Sequence, residues 1–585
     1  MPSREVLGSA VQNRKGRNNR PSFLSGASVY KKIAAVTGMV AVLFFFILPL
    51  LKLLLLSVDG PHGLTFGIYA EMLSQSRFWH IMNHTFVVVI GSTALAMALG
   101  LLVAWFMAYT DIRYKRLLHL VILSSFVLPS YVLTLSWSSF MGPQGMAAAL
   151  LRLLHPGAKP WSMYSMGGIV FVMGIHHFPL VYMFTANVLK KIPRDLEWAS
   201  RASGAGKFKT FRRVTLPLAL PGITAGGLLV FLATLDNFGI PAFLGTPVNI
   251  SVLSTYIYEE IIGFGPSAFA RGASLSVILG IIALVGTWLQ WLSVRKSKTS
   301  DTVLVDETPR YRLGKSRLWL SIIIWLMLVG ITIVPLFSMI SLSLRTSYGA
   351  SFSLKHISFK NYHYILFDNP KIWQAIQNSF ILSLVTLIIC LIIGTLFAYV
   401  RVRKPSKLYK TAELIVSIPY TLPGIVFALS MILVWMEPIP GWNPGIYGTT
   451  TILFIAYICR FLILQIRAGV TAFLQVDESV EEAARISGAG PWKKWHAILL
   501  PLLLPGLLSG AFLVFLTALT ELTVSAMLYS SGSQTIGVMI FSFEQAGNTL
   551  YSTAMSSLIV LLIVVGAGLL QLIQLLMGRK KGVQL

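Results

Sequence analysis

The stretch EEAARISGAG, residues 481–490, has a near copy in the same chain, EWASRASGAG, residues 197–206. Each is followed by a proline-bearing run, LPLLLPG at 500–506 and LPLALPG at 216–222, so a single offset, 284, holds through both blocks. A second offset, 294, relates Phe86 to Phe380, Gly100 to Gly394, Ala104 to Ala398 and Pro129 to Pro423. Constant offsets over so much sequence mark an internal duplication. The step from 294 to 284 falls after the third apolar run of each half, in a loop where length changes are tolerated.

What is duplicated follows from composition. Of 585 residues, 55% are hydrophobic and 12% charged, and the mean hydropathy is +0.74. Soluble domains carry roughly twice that share of charge. A bilayer core about 30 Å thick is crossed by about 20 apolar helical residues. Twelve runs meet that length: 33–50, 81–109, 117–140, 166–189, 218–240, 274–294, 318–342, 380–400, 414–435, 451–474, 502–527 and 556–577. The expected fold class is an all-α polytopic membrane protein with twelve transmembrane helices in two parallel six-helix repeats. The expected units are a basic tail 1–32, a first unit 33–294, a polar linker 295–317, a second unit 318–577 and a tail 578–585.

Basic residues near helix ends set orientation. Arg4, Arg14, Lys15, Arg17, Arg20, Lys31 and Lys32 precede the first run, and alternate loops are basic thereafter, whereas 437–450 has no Lys or Arg. Both termini are therefore expected in the cytoplasm, with the N-terminal tail free or against anionic lipid. The first run reads as a retained helix, not a cleaved signal peptide. The net charge of +26 is spread among these loops instead of forming one stripe, which argues against nucleic acid as a partner. Cys390 and Cys459 sit inside apolar runs, so neither a disulfide framework nor a Cys-based metal site is indicated.

Both decamers lie in the longest basic loop of their half, between the fourth and fifth runs. Residues 477–486 are helix-compatible, with acids in the first turn where the helix dipole favours them, and Gly488 and Gly490 then permit a turn. The expected product is a short helix across the membrane surface. One copy alone fits an amphipathic anchor; two copies at matched positions in an otherwise diverged repeat suit a partner that docks twice.

The pattern resembles the transmembrane permeases of binding-protein-dependent ABC importers of the type I fold. Their loop reads E-A-A, three residues, G, nine residues, I, one residue, L-P. The second half matches throughout, at Glu482, Ala483, Ala484, Gly488, Ile498, Leu500 and Pro501. The first half keeps Ala199, Gly204, Leu216 and Pro217 but has Trp198, Ser200 and Val214 at the other positions, with Glu197 beside the mismatch as a substitute acid. The resemblance covers roughly the whole chain. It implies two loops that couple to a separate ATPase, carried by Glu197, Trp198, Ala199 and Gly204 and by Glu481, Glu482, Ala483, Ala484 and Gly488. It further implies two copies of that ATP-binding subunit, an extracytoplasmic substrate-binding protein, and a bacterial inner-membrane location. Trp198 implies a first contact resting on apolar packing more than on an ion pair.

A phosphate-cradling loop needs Gly, four residues, then Gly-Lys-Ser/Thr. The Gly-Lys-Ser at 314–316 has Pro309 where the first Gly belongs, and the GAGK at 204–207 is followed by Phe208. No cofactor is expected in this chain; ATP and Mg belong on the partner, and the chain is not expected to be an enzyme.

Ionisable groups inside spans are costly and tend to face a cavity or a partner. His176 and His177 align with Arg460 and Phe461, and Asp236 and Asn237 align with Thr520 and Glu521. These positions are candidates for the translocation path or an outer gate. The competing structural reading pairs Arg460 with Glu521, and His176 with Asp236 or Asn237, and it is favoured because opposite charges at similar depth need no substrate. Glu260 and Glu544 also align, as candidate outer-mouth acids. Adjacent His176 and His177 point to different sides of a helix and do not make a metal cage, so any metal site is left unassigned. Pro129 and Pro423 lie within runs and are expected to kink them, for a gate or for packing.

Within the resembled family, TLDNFGIPAFLG at 234–245 and TELTVSAMLYSSGSQTIGVMIF at 520–541 look most like ferric iron permeases. Polyamine, thiamine, phosphonate and sugar-phosphate branches are the alternatives. An ion-coupled secondary transporter would carry a Gly- and Arg-rich loop after the second run and many intramembrane acids; the loop here is DIRYKR. A membrane scaffold leaves the duplicated loop unexplained.

Overall fold

The computed structural model describes residues 36–295, 306, 308–349, 357–437 and 445–579, apart from 61, 62, 156, 264 and 266. The expected tail 1–32, most of the linker (296–305 and 307) and residues 580–585 of the second tail lie outside the described residues. Among the described residues helices make up nearly all of the regular structure, with one short antiparallel strand pair joining Asp59–Gly60 to Gly63–Leu64.

Among the described residues ten helices are long and apolar enough to cross a bilayer: Val36–Ser57, Ser76–Tyr109, Met166–Lys191, Lys207–Asp236, Ala268–Leu289, Gly314–Ser343, Pro370–Arg403, Thr450–Leu474, Pro491–Leu519 and Thr549–Leu572. Two further spans are broken pairs. Lys115–Val127 meets Ser130–Leu154 at 102°, and Lys407–Thr421 meets Gly424–Trp435 at 107°. Chain order makes these the third and ninth spans, so the continuous runs 117–140 and 414–435 are each two helices. The proline side chain clashes with a helical residue before it. Leu128 (φ −66°, ψ 137°) and Leu422 (φ −79°, ψ 147°) are accordingly extended, and the chain turns a corner there.

The fifth and eleventh runs also stop early, at Asp236 and Leu519. Short helices Gly239–Leu244 and Thr523–Leu528 follow the breaks. The break residues cap them: Asn237 Oδ1 accepts from the Ile240 amide at 3.0 Å, and Glu521 Oε1 accepts from the Val524 amide at 2.9 Å. Side-chain acceptors of this kind compete with the helix ladder and favour a new start. Asn237 and Glu521 are equivalent positions at the offset of the decamers, so the duplication extends to the caps.

Packing repeats as well. A Cβ on Gly100 would lie 2.5 Å from the Val181 side chain, and one on Gly394 would lie 2.8 Å from that of Gln465. Val181 and Gln465 are themselves equivalent at the decamer offset, so the second and fourth spans of one half touch as the eighth and tenth do. The two halves are not separate bodies. Helix Leu48–Ser57, from the first span, packs on Gly424–Trp435 of the second half, and Arg317–Ser343, the seventh, packs on Ser130–Met141 of the first. Each half thus lends its opening helix to the other, and the largest apolar cluster draws on both, from Tyr131, Phe238 and Phe243 to Ile425, Leu429 and Phe541. The fourth and tenth spans are the most enclosed, with 72% and 67% of their apolar windows buried, against 17% for the first. The outer helices therefore carry the exposed apolar surface that a bilayer covers, and the site lies along the enclosed ones.

Candidate functional site

The first six residues of each decamer complete a nine-residue helix, Arg194–Ala202 and Glu478–Ile486. Both end alike. Gly204 and Gly488 have φ of +82° and +76°, the left-handed conformation that glycine adopts without steric cost. The amides of Gly204 and Ala205 bond back to Arg201 and Ser200 carbonyls, and those of Gly488 and Ala489 to Arg485 and Ala484. This is a Schellman closure, in which two orphan carbonyls of the last turn are satisfied. The glycine of the motif is therefore fixed by geometry. Gly206 and Gly490 then lead into the fifth and eleventh spans, each of which carries a π-helical turn within its first ten residues, Phe211–Thr215 and Lys494–Leu499.

The two acids at the start of the second motif face opposite ways. Glu481 is buried and Glu482 is exposed. Arg403 Nε donates to Glu481 Oε1 at 2.6 Å, Lys494 Nζ to Oε2 at 2.8 Å, and the Tyr399 hydroxyl to Oε2 at 3.5 Å. Burial alone would raise the Glu481 carboxyl, but the bonds and charges of Lys494 and Arg403 bring it below its ordinary value. Glu197 is the equivalent of Glu481. It too is buried, 2.9 Å from Arg310 Nη1, and accepts from the Thr215 hydroxyl at 2.7 Å. Glu197 thus holds the loop against the spans and is turned away from the surface where a substitute for the missing motif acid would stand. That surface position belongs to Trp198, 58% exposed.

Sequence reading missed two exposed aromatics. Phe208 is 76% exposed and Trp492 81%, and they too are equivalent at the decamer offset, a signal that the repeat itself carries. Ile486, 88% exposed, adds a third apolar group to the second loop. Ala199 and Ala483 are exposed, and Ala484 is buried under the helix. Each loop therefore shows a small apolar platform ringed by charge, the composition found where a protein partner anchors.

Deeper in the molecule, Asp236 and Arg460 join the halves. Asp236 closes the helix of the fifth span; its Oδ2 lies 3.2 Å from Arg460 Nη2, and its Oδ1 accepts from the Gly424 amide. Glu521 Oε2 stands 4.0 Å from Arg460 Nε. Arg460 also donates to the Pro419 and Leu422 carbonyls, at 3.3 and 3.5 Å. These are acceptors that the break at Pro423 leaves without amide donors. His176, the equivalent of Arg460, takes the equivalent carbonyl, Ser125 O, with Nδ1 at 2.9 Å, and His177 Nδ1 lies 2.9 Å from Met173 O. The expected pairing of His176 with Asp236 or Asn237 is thus replaced: the broken third span holds the imidazole, and Asp236 crosses to the second half. Among the described residues no group of three His, Cys, Asp or Glu is placed to hold a metal ion.

Glu260 lies 3.9 Å from Arg271 Nη1. Its equivalent, Glu544, accepts from the Ser552 hydroxyl at 2.6 Å. Burial raises the Glu544 carboxyl, and the bonds from Ser552 and Thr549 act against that rise. Glu544 lines a cavity of about 420 Å³ with Ala242, Phe243 and Thr246 of the first half and Phe541 of the second.

Two breaks, two caps, two matched loops and an ion cluster across the seam describe a duplicated polytopic membrane protein with a matched pair of surface helices. Two segments, 96–299 and 390–582, match the model of the binding-protein-dependent transport system inner membrane component family, and the chain belongs to that family. The starts of the two matches are separated by the second offset of the repeat. The chain is 26% identical over 515 residues to the putative ferric transport system permease protein FbpB 1 of Haemophilus influenzae, covering 85% of this chain and 77% of the relative. It is 25% identical over 453 residues to the ferric transport system permease protein FbpB of Actinobacillus pleuropneumoniae, covering 75% of this chain and 63% of the relative. A putative 2-aminoethylphosphonate transport system permease protein, PhnU of Salmonella paratyphi A, is 27% identical over 225 residues, 38% of this chain and 77% of the relative. The chain is thus a multi-pass inner-membrane permease with two fused family units.

Proposed function

We propose that this chain is the permease of an ATP-driven, binding-protein-dependent importer of ferric iron, working by alternating access. The observation that carries the coupling is the pair of equivalent helices, Arg194–Ala202 and Glu478–Ile486, each pinned by a buried glutamate and each presenting exposed groups outward. Two copies of a separate ATPase, holding ATP and Mg, dock on these helices from the cytoplasm, where both termini also lie. A substrate-binding protein docks on the opposite face. ATP-driven closure of the ATPases moves the helices, and the movement passes through the Glu197 and Glu481 anchors into the spans. The Asp236–Arg460 contact lies across the seam between halves and acts as part of the gate, while Glu260 and Glu544 flank its outer mouth. Ferric iron rests on the names of the long-matching relatives; polyamines, thiamine, sugar phosphates and phosphonates, the last of which PhnU's name mentions, are the alternatives. Uptake of labelled ferric iron, against the same assay with an aminoalkylphosphonate, in cells carrying the chain with its ATPase and binding protein tests the substrate. Uptake of the phosphonate alone would keep the importer and replace the cargo.

A further inference from the structure

The second loop takes its anchoring cations from its own half. Arg403 ends the eighth span, and Lys494 begins the eleventh. At the equivalent positions the first half has Tyr109 and Thr210, and neither carries a positive charge. A buried Glu197 in such a place would be left uncompensated, at a cost that proteins avoid. The charge arrives from elsewhere: Arg310, in the connection between the halves, fills the place.

The substitution is close in its details. Arg403 bonds the Glu481 carboxylate and, at 2.8 Å, the Val476 carbonyl. Arg310 contacts the Glu197 carboxylate at 2.9 Å and bonds the Ile192 carbonyl. Ile192 and Val476 are equivalent at the decamer offset, so two arginines from unrelated places in the chain make the same pair of contacts. Arg310 and Glu197 are 5% and 7% exposed, and Arg403 and Glu481 are 10% and 4% exposed. Arg310 Nη1 also donates to the hydroxyl of Tyr109 at 3.0 Å, the residue standing where Arg403 would be, and its guanidinium lies 4.4 Å over that ring.

The neighbouring residues lay the connection down as a strap. The Arg310 and Tyr311 amides both bond Tyr109 O at 2.9 Å, and the Asp306 amide bonds Lys190 O at 2.9 Å. Asp306 pairs with Arg194, the first residue of the loop helix, and Asp111 accepts from the Leu313 amide at 3.0 Å. We infer that residues 306 and 308–313 are a working part of the first coupling element, with Arg310 as the positioning residue that fixes its helix to the second and fourth spans. The fused connection therefore does more than tether two halves. It supplies the cation that the first half lacks, so the first loop is complete only when the connection lies across it.

This rests on the reading of the loops as coupling elements, and the test separates the two. Amide exchange on the purified full chain needs no partner. Arg310→Ala is expected to speed exchange across 194–206 by about tenfold or more, as loss of a buried partner does, and to leave 478–490 unchanged; Arg403→Ala is expected to do the reverse. Adding Tyr109→Arg to Arg310→Ala puts a cation where the second half carries one and is expected to restore the first loop. In proteoliposomes with the ATPase and binding protein, Arg310→Ala is expected to lower substrate moved per ATP, with recovery in the Tyr109→Arg background and partial recovery in Arg310→Lys. Unchanged exchange at 194–206, equal acceleration of both loops, or no recovery with Tyr109→Arg would overturn the inference. Glu482→Lys in the same vesicles reads the coupling assignment alone: normal transport there removes that assignment and leaves the exchange result standing.

Discussion

Glu481 and Glu482 are adjacent and chemically identical, yet the first is buried and the second exposed. Replacing Glu481 by alanine strands Arg403 and Lys494, which are 10% and 14% exposed and bond it at 2.6 and 2.8 Å. Removing one partner of a buried pair costs about 3–5 kcal/mol; the residual exposure of both cations leaves them a path to water, so the lower end applies. About 3 kcal/mol of local stability corresponds to about a hundredfold faster opening of the segment 478–490. Global melting is a poor reporter in so large a chain, because unfolding is not two-state, so the assay is amide exchange read peptide by peptide. Glu482→Ala removes an exposed side chain and is expected to stay within about 0.5 kcal/mol of the parent, while reducing ATP-coupled transport. Exchange within about threefold of wild type in Glu481→Ala, well short of the opening expected for a lost buried pair, would refute the anchor reasoning. Equal acceleration in Glu482→Ala would do the same.

Acid should release the same anchor. The Glu481 carboxyl is held below its ordinary value by Lys494 and Arg403 against the opposing effect of burial, so its stabilisation is present above the unfolded value of about 4.3 and fades as pH falls through the lower folded value. Exchange protection at 478–490 should therefore be flat between pH 7 and 5, after correction for intrinsic rates, and should drop only below about pH 4. Gly488→Ala meets no atom within 4 Å but sits at φ +76°; it should cost about 1–2 kcal/mol of loop stability by chemical denaturation followed through exchange. Gly490→Ala, at φ −64°, should cost little. A double-mutant cycle on Asp236→Ala and Arg460→Ala, read by local amide exchange in the purified chain, should give a coupling of about 1–3 kcal/mol, whereas a cycle on Asp236 and His176 should give none.

Much of this is legible because membrane helices and duplications write themselves in long periods. The offsets 284 and 294 locate matched positions well enough that Gly100 with Val181 and Gly394 with Gln465 are equivalent contacts. Charge pairing is harder. Hydropathy gives depth and span but not azimuth, so the sequence pairs Arg460 with Glu521, which lies 4.0 Å away, while its closer partner, Asp236 at 3.2 Å, comes from the other half. The helix exchange that brings the halves together has no local signature. Pro129 and Pro423 signal kinks, but the size of the breaks is set by the extended Leu128 and Leu422. Glu197 reads as a substitute docking acid because its sequence neighbour is the mismatch, whereas helical spacing turns it inward. Arg310 is invisible in the sequence, since a linker arginine in a polar stretch normally stays in water.

If the two loop helices transmit ATP-driven motion through this chain, Glu482 is the exposed motif acid on which that transmission turns. The most direct measurement is ATP-driven ferric iron uptake into proteoliposomes holding the chain, its ATPase and its binding protein, wild type against Glu482→Lys, with ATP turnover followed alongside. Coupling through these helices requires wild-type uptake that needs ATP, and a loss of about tenfold or more in the variant, as for a charge reversal at an interface anchor. Equal uptake in the two, with equal ATP turnover, would contradict it.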